Sequence, residues 1–376
     1  AREIEAILAR TDALGWPSLQ AEARLVAGGA AASLGERDTA RVLGYFEDAL
    51  FLALDAGHDA TATEAALELV NFAGLTLMRT AEGERWARLA RSLWLRLGSE
   101  GRALLGDLEC STAELDKVQG RFAAAGAAFE RCHKARSAAH GPDHPTVALA
   151  LADRASLASI QGEPGVARDL LRQALASLEP VLGPEHPTIA RVVSDLGEAL
   201  MGVGEAVEAE TYQHRALAID TQVFGADHER VGSDHYSLGQ LYLGIGRNED
   251  ARRHLSRAAA LFEGAPGMGR PMRIAALTDL TLAYRALGDL DGALATARTS
   301  LELYEGVMGS AHASLVPLVL GIAEIEVARG ELAEARRTLA RAQQLIADDP
   351  EAAADSDDAK RLAAVRERLS ERAPEK

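Results

Sequence analysis

Apolar positions along this chain fall in helical stripes that break at regular intervals. In "HPTIARVVSDLGEALMGVG" (186–204), Ile189, Val192, Val193, Leu196 and Leu200 recur at steps of three and four, the spacing of one face of an α-helix. Pro187 suits a first helical turn, where its missing N–H costs nothing. Gly204 suits the left-handed residue that ends a helix. A second helix, "AVEAETYQHRALAIDTQVF" (206–224), follows and stops at Gly225. Ala209 and Ala216 lie seven apart on it and share a face, where small side chains let two helices approach closely. The segment reads as an antiparallel helix pair.

The pattern repeats. Gly141, Gly183, Gly225, Gly267 and Gly309 are each 42 residues apart, and so are Gly120, Gly162, Gly204, Gly246, Gly288 and Gly330. Small residues keep the same register at Ala125, Ala167, Ala209, Ala251, Ala293 and Ala335, and again at Cys132, Ala174, Ala216, Ala258, Ser300 and Ala342. One helix pair cannot bury its apolar stripes alone, so neighbours must stack into an array. Six regular units are expected over 99–350. Within the divergent stretch 1–98, residues 32–50 and 79–94 read as second helices, and 1–14 as the last helix of a unit cut at its boundary. In 351–376 an acidic loop, "DDPEAAADSDD" (348–358), leads into a capping helix marked by Leu362, Val365 and Leu369. The total is about eight pairs and a cap.

These small-residue spacings and inter-helix glycines, with "LGQLY" (238–242) and "LTLAY" (280–284), resemble the tetratricopeptide repeat. The period and the loops "HGPDHPTVA" (140–148) and "LGPEHPTIA" (182–190) are similar to its longer, kinesin-light-chain variety. The resemblance implies an all-α, right-handed superhelix of antiparallel pairs. It also implies a concave face lined by first helices, on which such repeats take proteins or peptides. Kinesin light chains carry paired asparagines on that face. Here the matching pairs are Ala152–Asp153, Ser194–Asp195, Tyr236–Ser237 and Thr278–Asp279, so a kinesin-type cargo groove does not carry over. Arg154 stands where leucine is usual, and its unit is expected to pack more loosely.

The histidines of the recurring turn, His144, His186, His228 and His312, read as punctuation: they cap free N–H groups or pack beside the turn. Equivalent positions in stacked pairs lie about 10 Å or more apart, too far to share a metal whose ligands sit about 2 Å from it. No metal or cofactor is expected. Neither a phosphate-binding loop ending in Lys-Ser or Lys-Thr, nor a metalloprotease helix, a kinase catalytic loop or a Gly-x-Ser-x-Gly elbow occurs. "GAPGMGRPM" (264–272) reads as a divergent turn. No catalytic residue is assigned.

Composition narrows the partners. A net charge of -16, spread along the chain, disfavours nucleic acid, and no apolar run is long enough to span a membrane. The two cysteines, Cys110 and Cys132, lack metal-type spacing. They suit a reducing, cytoplasmic setting without disulfides, with Cys132 as a small buried residue. The charged amphipathic start is no signal peptide, and the absence of an initiator Met suggests a piece of a longer protein.

What remains is surface. Opposite the buried stripes lie Asp153, Ser156, Ser194, Asp195, Glu198, Ser233, Tyr236, Gln240, Thr278, Asp279 and Arg285, the candidate peptide groove. Its acidity favours a basic protein or peptide. The segment 11–40 is similar to the repeat regions that follow kinase domains in large bacterial Ser/Thr protein kinases, which implies a regulatory arm. The repeat arm of a nucleotide-switched signalling ATPase or of a caspase-like protease, a free-standing adaptor and a self-assembly module stay open, as does the oligomeric state.

Overall fold

The structure, a computed structural model, describes residues 2–34, 36, 38–99, 101–265, 269–348 and 356–371. Those residues are helical almost throughout and form two compact units, Ala1–Glu205 and Ala206–Lys376.

Unit 1 starts with α1 (Arg2–Leu14), which packs on α2 (Pro17–Ser33). Antiparallel pairs follow: α2 with α3 (Thr39–Asp55), and α4 (Asp59–Leu69) with α5 (Thr80–Leu97). Next come α6 (Arg102–Val118) with α7 (Phe122–His140), and α8 (Pro145–Ile160) with α9 (Pro164–Leu182). Finally α10 (Pro187–Gly202) packs on α9. The five apolar residues that define the stripe of α10 are all fully buried. The second helices read at 32–50 and 79–94 are α3 and α5. The first begins later than its sequence suggests, because Asp38 accepts the Arg41 N–H at 3.2 Å and caps α3 there.

Their first helices carry little periodic signal, and α4 shows why. It continues as a π-helical segment, Val70–Thr76, which breaks the 3.6-residue spacing. That segment crosses α5 at Gly74 and Gly83. A Cβ on Gly83 would sit 2.6 Å from Gly74 Cα, so only glycine permits the approach.

Unit 2 opens with α11 (Ala206–Phe224), which packs on α12 (Glu229–Gly244). Three pairs follow: α12 with α13 (Asn248–Leu261), α14 (Gly269–Ala286) with α15 (Leu290–Met308), and α16 (Val316–Arg329) with α17 (Leu332–Asp348). The capping helix is α18 (Ser356–Glu371); Val365 and Leu369 are buried, and Leu362 packs against the same apolar cluster. Most of the acidic loop before it, 349–355, lies outside the described residues, as do 266–268, including Gly267. Residues 269–272, read as part of a turn, form the first turn of α14.

Two expectations on the recurring turn resolve at the atomic level. Gly183 and Gly204 close α9 and the turn after α10, both with φ of +85°, a conformation that penalises any side chain. The four turn histidines are N-caps. Each Nδ1 accepts the backbone N–H two residues on, at Thr146 (3.3 Å), Thr188 (3.1 Å), Arg230 (3.2 Å) and Ser314 (3.2 Å). Their protons therefore sit on Nε2.

The expectation of no disulfide is overturned, although Cys132 is fully buried as expected. Cys110 on α6 and Cys132 on α7 form a disulfide across the helix pair, with their Cα atoms 5.2 Å apart. The reason lies in the register. The next unit holds Ala152 and Ala174 at these two positions, both fully buried on the paired first and second helices. Two cysteines placed there face each other. Arg154, expected to loosen its unit, reaches Glu130 of α7 at 2.7 Å instead of filling a leucine site.

Candidate functional site

The faces that first helices leave uncovered carry the candidate residues, and each unit arranges them differently. In unit 1 the side chains of Asp153 (α8) and Asp195 (α10) come together, both 3.6 Å from Arg191. Ser156 accepts from Lys117 Nζ at 3.1 Å, and the same ammonium pairs with Glu114 of α6 at 2.7 Å. Glu198 adds its charge from the next turn of α10. The result is an acidic strip over α6, α8 and α10, threaded by two cations.

Its carboxylates are held above their ordinary range. Burial pushes Asp195 up to about 6; Arg191 opposes this, while Glu198 and Asp153 reinforce it. Asp153 and Glu114 are raised by burial as well, against the pull of Arg191 and Lys117. A bound cation would relieve all three.

The strip has an extension that the phase rule did not reach. A cavity of about 290 Å³ opens between α4 and α6; among its lining residues are Glu64, Glu68, Asp107 and Asn71, with Cys110 of the disulfide. Burial raises Glu64 and Glu68, and the nearby Asp107 adds to both shifts. Asp107 itself is paired with Arg136 at 2.9 Å. Glu114 was within reach of sequence reasoning, because it holds the register position of Ser156, Glu198 and Gln240, one repeat earlier. Glu64 and Glu68 were not, because the π-helical segment interrupts the register.

Unit 2 presents hydrogen bonds in place of crowded charge. Gln240 Nε2 donates to Tyr236 Oη at 2.8 Å and to Asp279 Oδ2 at 3.2 Å, linking α12 to α14. Burial raises Asp279, opposed by its bonds to Tyr236 and Gln240. Arg285 is committed to Glu324 of α16 at 3.0 Å, and Arg361 of α18 meets the same carboxylate at 2.8 Å. Two candidates turn inward on their own helices. Thr278 Oγ1 donates to Ile274 O and contacts Ser300 Oγ of α15, and Ser233 Oγ lies 3.5 Å from Glu229 O. Ser194 is half-buried on α10.

No group of three or more His, Cys, Asp or Glu among the described residues is arranged to hold a metal ion. Nor is any described helix long and apolar enough to cross a membrane.

A sequence profile described as Tetratricopeptide repeat matches residues 112–179 and 188–264, and a second profile of the same description matches 273–314. The chain carries tetratricopeptide repeats. The fold agrees with solved structures across the class. The Rap protein complexed with competence and sporulation factor superposes with a TM-score of 0.58 at 15% identity, over 94% of this chain and 99% of that one. BtubC (BKLC) from P. vanneervenii gives 0.52 at 20% identity, over 66% and 93%. The kinesin light chain nearly identical TPR-like repeats from Podosopora anserina give 0.50 at 22% identity, over 55% and 99%. Among curated proteins no sequence match was found. At such identities the likeness is one of fold: an all-α solenoid of tetratricopeptide helix pairs.

Proposed function

We propose that this tetratricopeptide array is a non-catalytic scaffold whose unit 1 face takes a basic segment of a protein or peptide. The observation that carries the reading is the acidic strip: Glu114, Asp153 and Asp195 on three successive first helices, each held above its ordinary range by burial. Partly desolvated carboxylates stacked along one face bind a row of Lys or Arg side chains better than they bind water and each other. A groove of this kind turns nothing over; it selects by charge and spacing. One structure of similar fold, the Rap protein, was itself solved with competence and sporulation factor bound.

The test is a peptide panel on the immobilised chain, with Lys- and Arg-rich, neutral and acidic members of equal length. Basic peptides should bind, and Asp153→Asn with Asp195→Asn should weaken them about tenfold or more, since each lost charge-assisted contact is worth about 1.5 kcal/mol. No preference for basic peptides, or binding indifferent to the two substitutions, defeats the reading.

The resemblance of 11–40 to the regions behind bacterial Ser/Thr kinase domains supports a finer role, the regulatory arm of such a kinase. Reading the coding frame upstream of Ala1 decides it. A Val-Ala-x-Lys strand and a His-Arg-Asp loop would support the kinase, and a start codon immediately before Ala1 would leave a free-standing adaptor. A cytoplasmic setting would keep Cys110 and Cys132 as thiols, so counting free thiols in protein taken from its own cells tests the location.

A further inference from the structure

Where α11, α12 and α13 meet, the array has exchanged apolar core for titratable groups. Asp220 and Asp234 stand at the register positions of Leu178 and Val192, and His235 at that of Val193. All three apolar residues are fully buried. Both acids are buried too, Asp220 3% and Asp234 4% exposed; His235 is half-buried against His254 of α13, which is 7% exposed. Asp220 Oδ2 accepts from Arg230 Nε at 3.0 Å, but Asp220 Oδ1 and Asp234 Oδ2 are enclosed without a hydrogen-bond partner. On the other side of α12, His235 Nδ1 meets His254 Nδ1 at 2.9 Å, which requires one imidazole to donate and the other to accept.

Three buried titratable side chains and a half-buried fourth in one layer, two with unpartnered oxygens, are costly ways to fill a core. Asp220 is paired with Arg230, whereas a charge on Asp234 would face Asp220 with its Oδ2 unpartnered. The imidazole pair bonds only while at least one ring keeps a bare Nδ1, and two protonated rings would repel.

We propose that the α11–α12–α13 layer is a pH-sensitive breakpoint of the array: it is shut while Asp234 keeps its proton and the His235–His254 pair is neutral, and it loosens when Asp234 ionises or the imidazoles are protonated.

The surrounding charges agree in direction. Burial and Asp220 raise Asp234 to about 8, against Arg230. Burial lowers His235 and His254 to about 4 each; Arg257 and His214 add to the first shift, and His235, Arg253 and His214 to the second, against Asp250. From α14, Arg273 is paired with Glu263. His214 of α11 is engaged with Tyr242 Oη at 3.0 Å, which itself donates to Glu210.

The signs follow from linkage. The unfolded Asp titrates near 4, so the contribution of Asp234 is complete below that and is lost as pH rises through 8. The unfolded imidazoles titrate near 6.5, so theirs is complete above 6.5 and is lost as pH falls through 4. Between 4 and 6.5 two imidazoles outweigh one carboxyl, and above 6.5 only the carboxyl acts. The layer is tightest near pH 6.5.

Hydrogen exchange on the full chain at pH 5.0, 6.5 and 8.5, corrected for intrinsic rates, reads this directly. Amides of α11–α13 should be most protected at pH 6.5 and lose up to about tenfold per pH unit towards 8, while those of α16–α17 hold theirs. Replacing the acids with the residues of the sister layer, Asp220→Leu with Asp234→Val, should abolish the alkaline loss. If that variant does not fold, Asp234→Asn keeps the shape, cannot ionise, and should do the same. His235→Val should reduce the acid-side loss. Equal protection of α11–α13 at all three pH values, or an alkaline loss that survives Asp234→Asn, overturns the proposal.

Discussion

Leu178 and Val192 in one unit, Asp220 and Asp234 in the other: the same two register positions hold opposite chemistry on the same backbone. Burying two such apolar side chains contributes about 3 kcal/mol or more, and the second unit forgoes it. The helices still pack, because a stacked array sums nearly independent layers, so one layer can be weak while its neighbours hold. Register is set by small residues and glycines at the helix crossings, and the side chains between them are free to specialise.

The largest effect should come from forcing the two layers to become alike. Val192→Asp would put a carboxylate into the apolar layer of α10, where the position equivalent to Arg230 is Thr188 and offers no cation. An unpaired buried charge is among the few changes that cost about 4 kcal/mol or more. We expect a loss of that size at pH 7.5 in urea unfolding followed by circular dichroism, smaller at pH 5, where the new group takes a proton. A cost under about 1 kcal/mol would show that the layer of α10 tolerates charge, and Asp234 would then need no special explanation.

A second matched pair separates the disulfide from its apolar counterpart. Cys110 and Cys132 lie where the next unit holds Ala152 and Ala174. A bond closing a segment of 22 residues restrains the unfolded chain by about 3 kcal/mol in the loop-entropy picture. Reduction with dithiothreitol should lower the stability of the α6–α7 region by that order. The variant Cys110→Ala with Cys132→Ala should sit at the reduced level and ignore the reductant. A wild-type protein equally indifferent to dithiothreitol would mean that the alanine-type packing alone holds this pair.

Most of the fold was legible because it is periodic. Glycines at a fixed interval, small residues in phase and proline after histidine place the helices from α6 to α17 with little else. The first helices α2 and α4 were not legible: α4 runs into a π-helical segment that shifts the phase, and its crossing with α5 depends on Gly74 and Gly83, two residues that carry no apolar signal. The acidic strip was half legible. Asp153, Asp195 and Glu198 follow from facing opposite the stripe, but Glu64, Glu68 and Glu114 lie before the stretch where that phase was applied. The disulfide and the Asp220–Asp234 pair were missed for one reason: each replaces a core residue in register, and a periodic reading fills such positions with whatever the neighbouring repeats contain.

The smallest effect tests the feature that both units share. His186 caps α10 in unit 1 and His228 caps α12 in unit 2, through Nδ1 bonds of 3.1 and 3.2 Å to the N–H two residues on. If these rings serve only as caps, His186→Ala should cost about 1 kcal/mol, and His186→Asn, whose side-chain oxygen can accept the same N–H, should recover most of it. His228 adds a ring stacked on Phe224, centroids 4.8 Å apart, with Arg230 over the other aromatic ring at 4.9 Å. Asparagine cannot replace that stack, so His228→Asn should recover less than His186→Asn. Equal recovery at both sites would confine the histidine to capping. A deficit at 228 alone would show that the turn also anchors Arg230, the cation on which Asp220 depends.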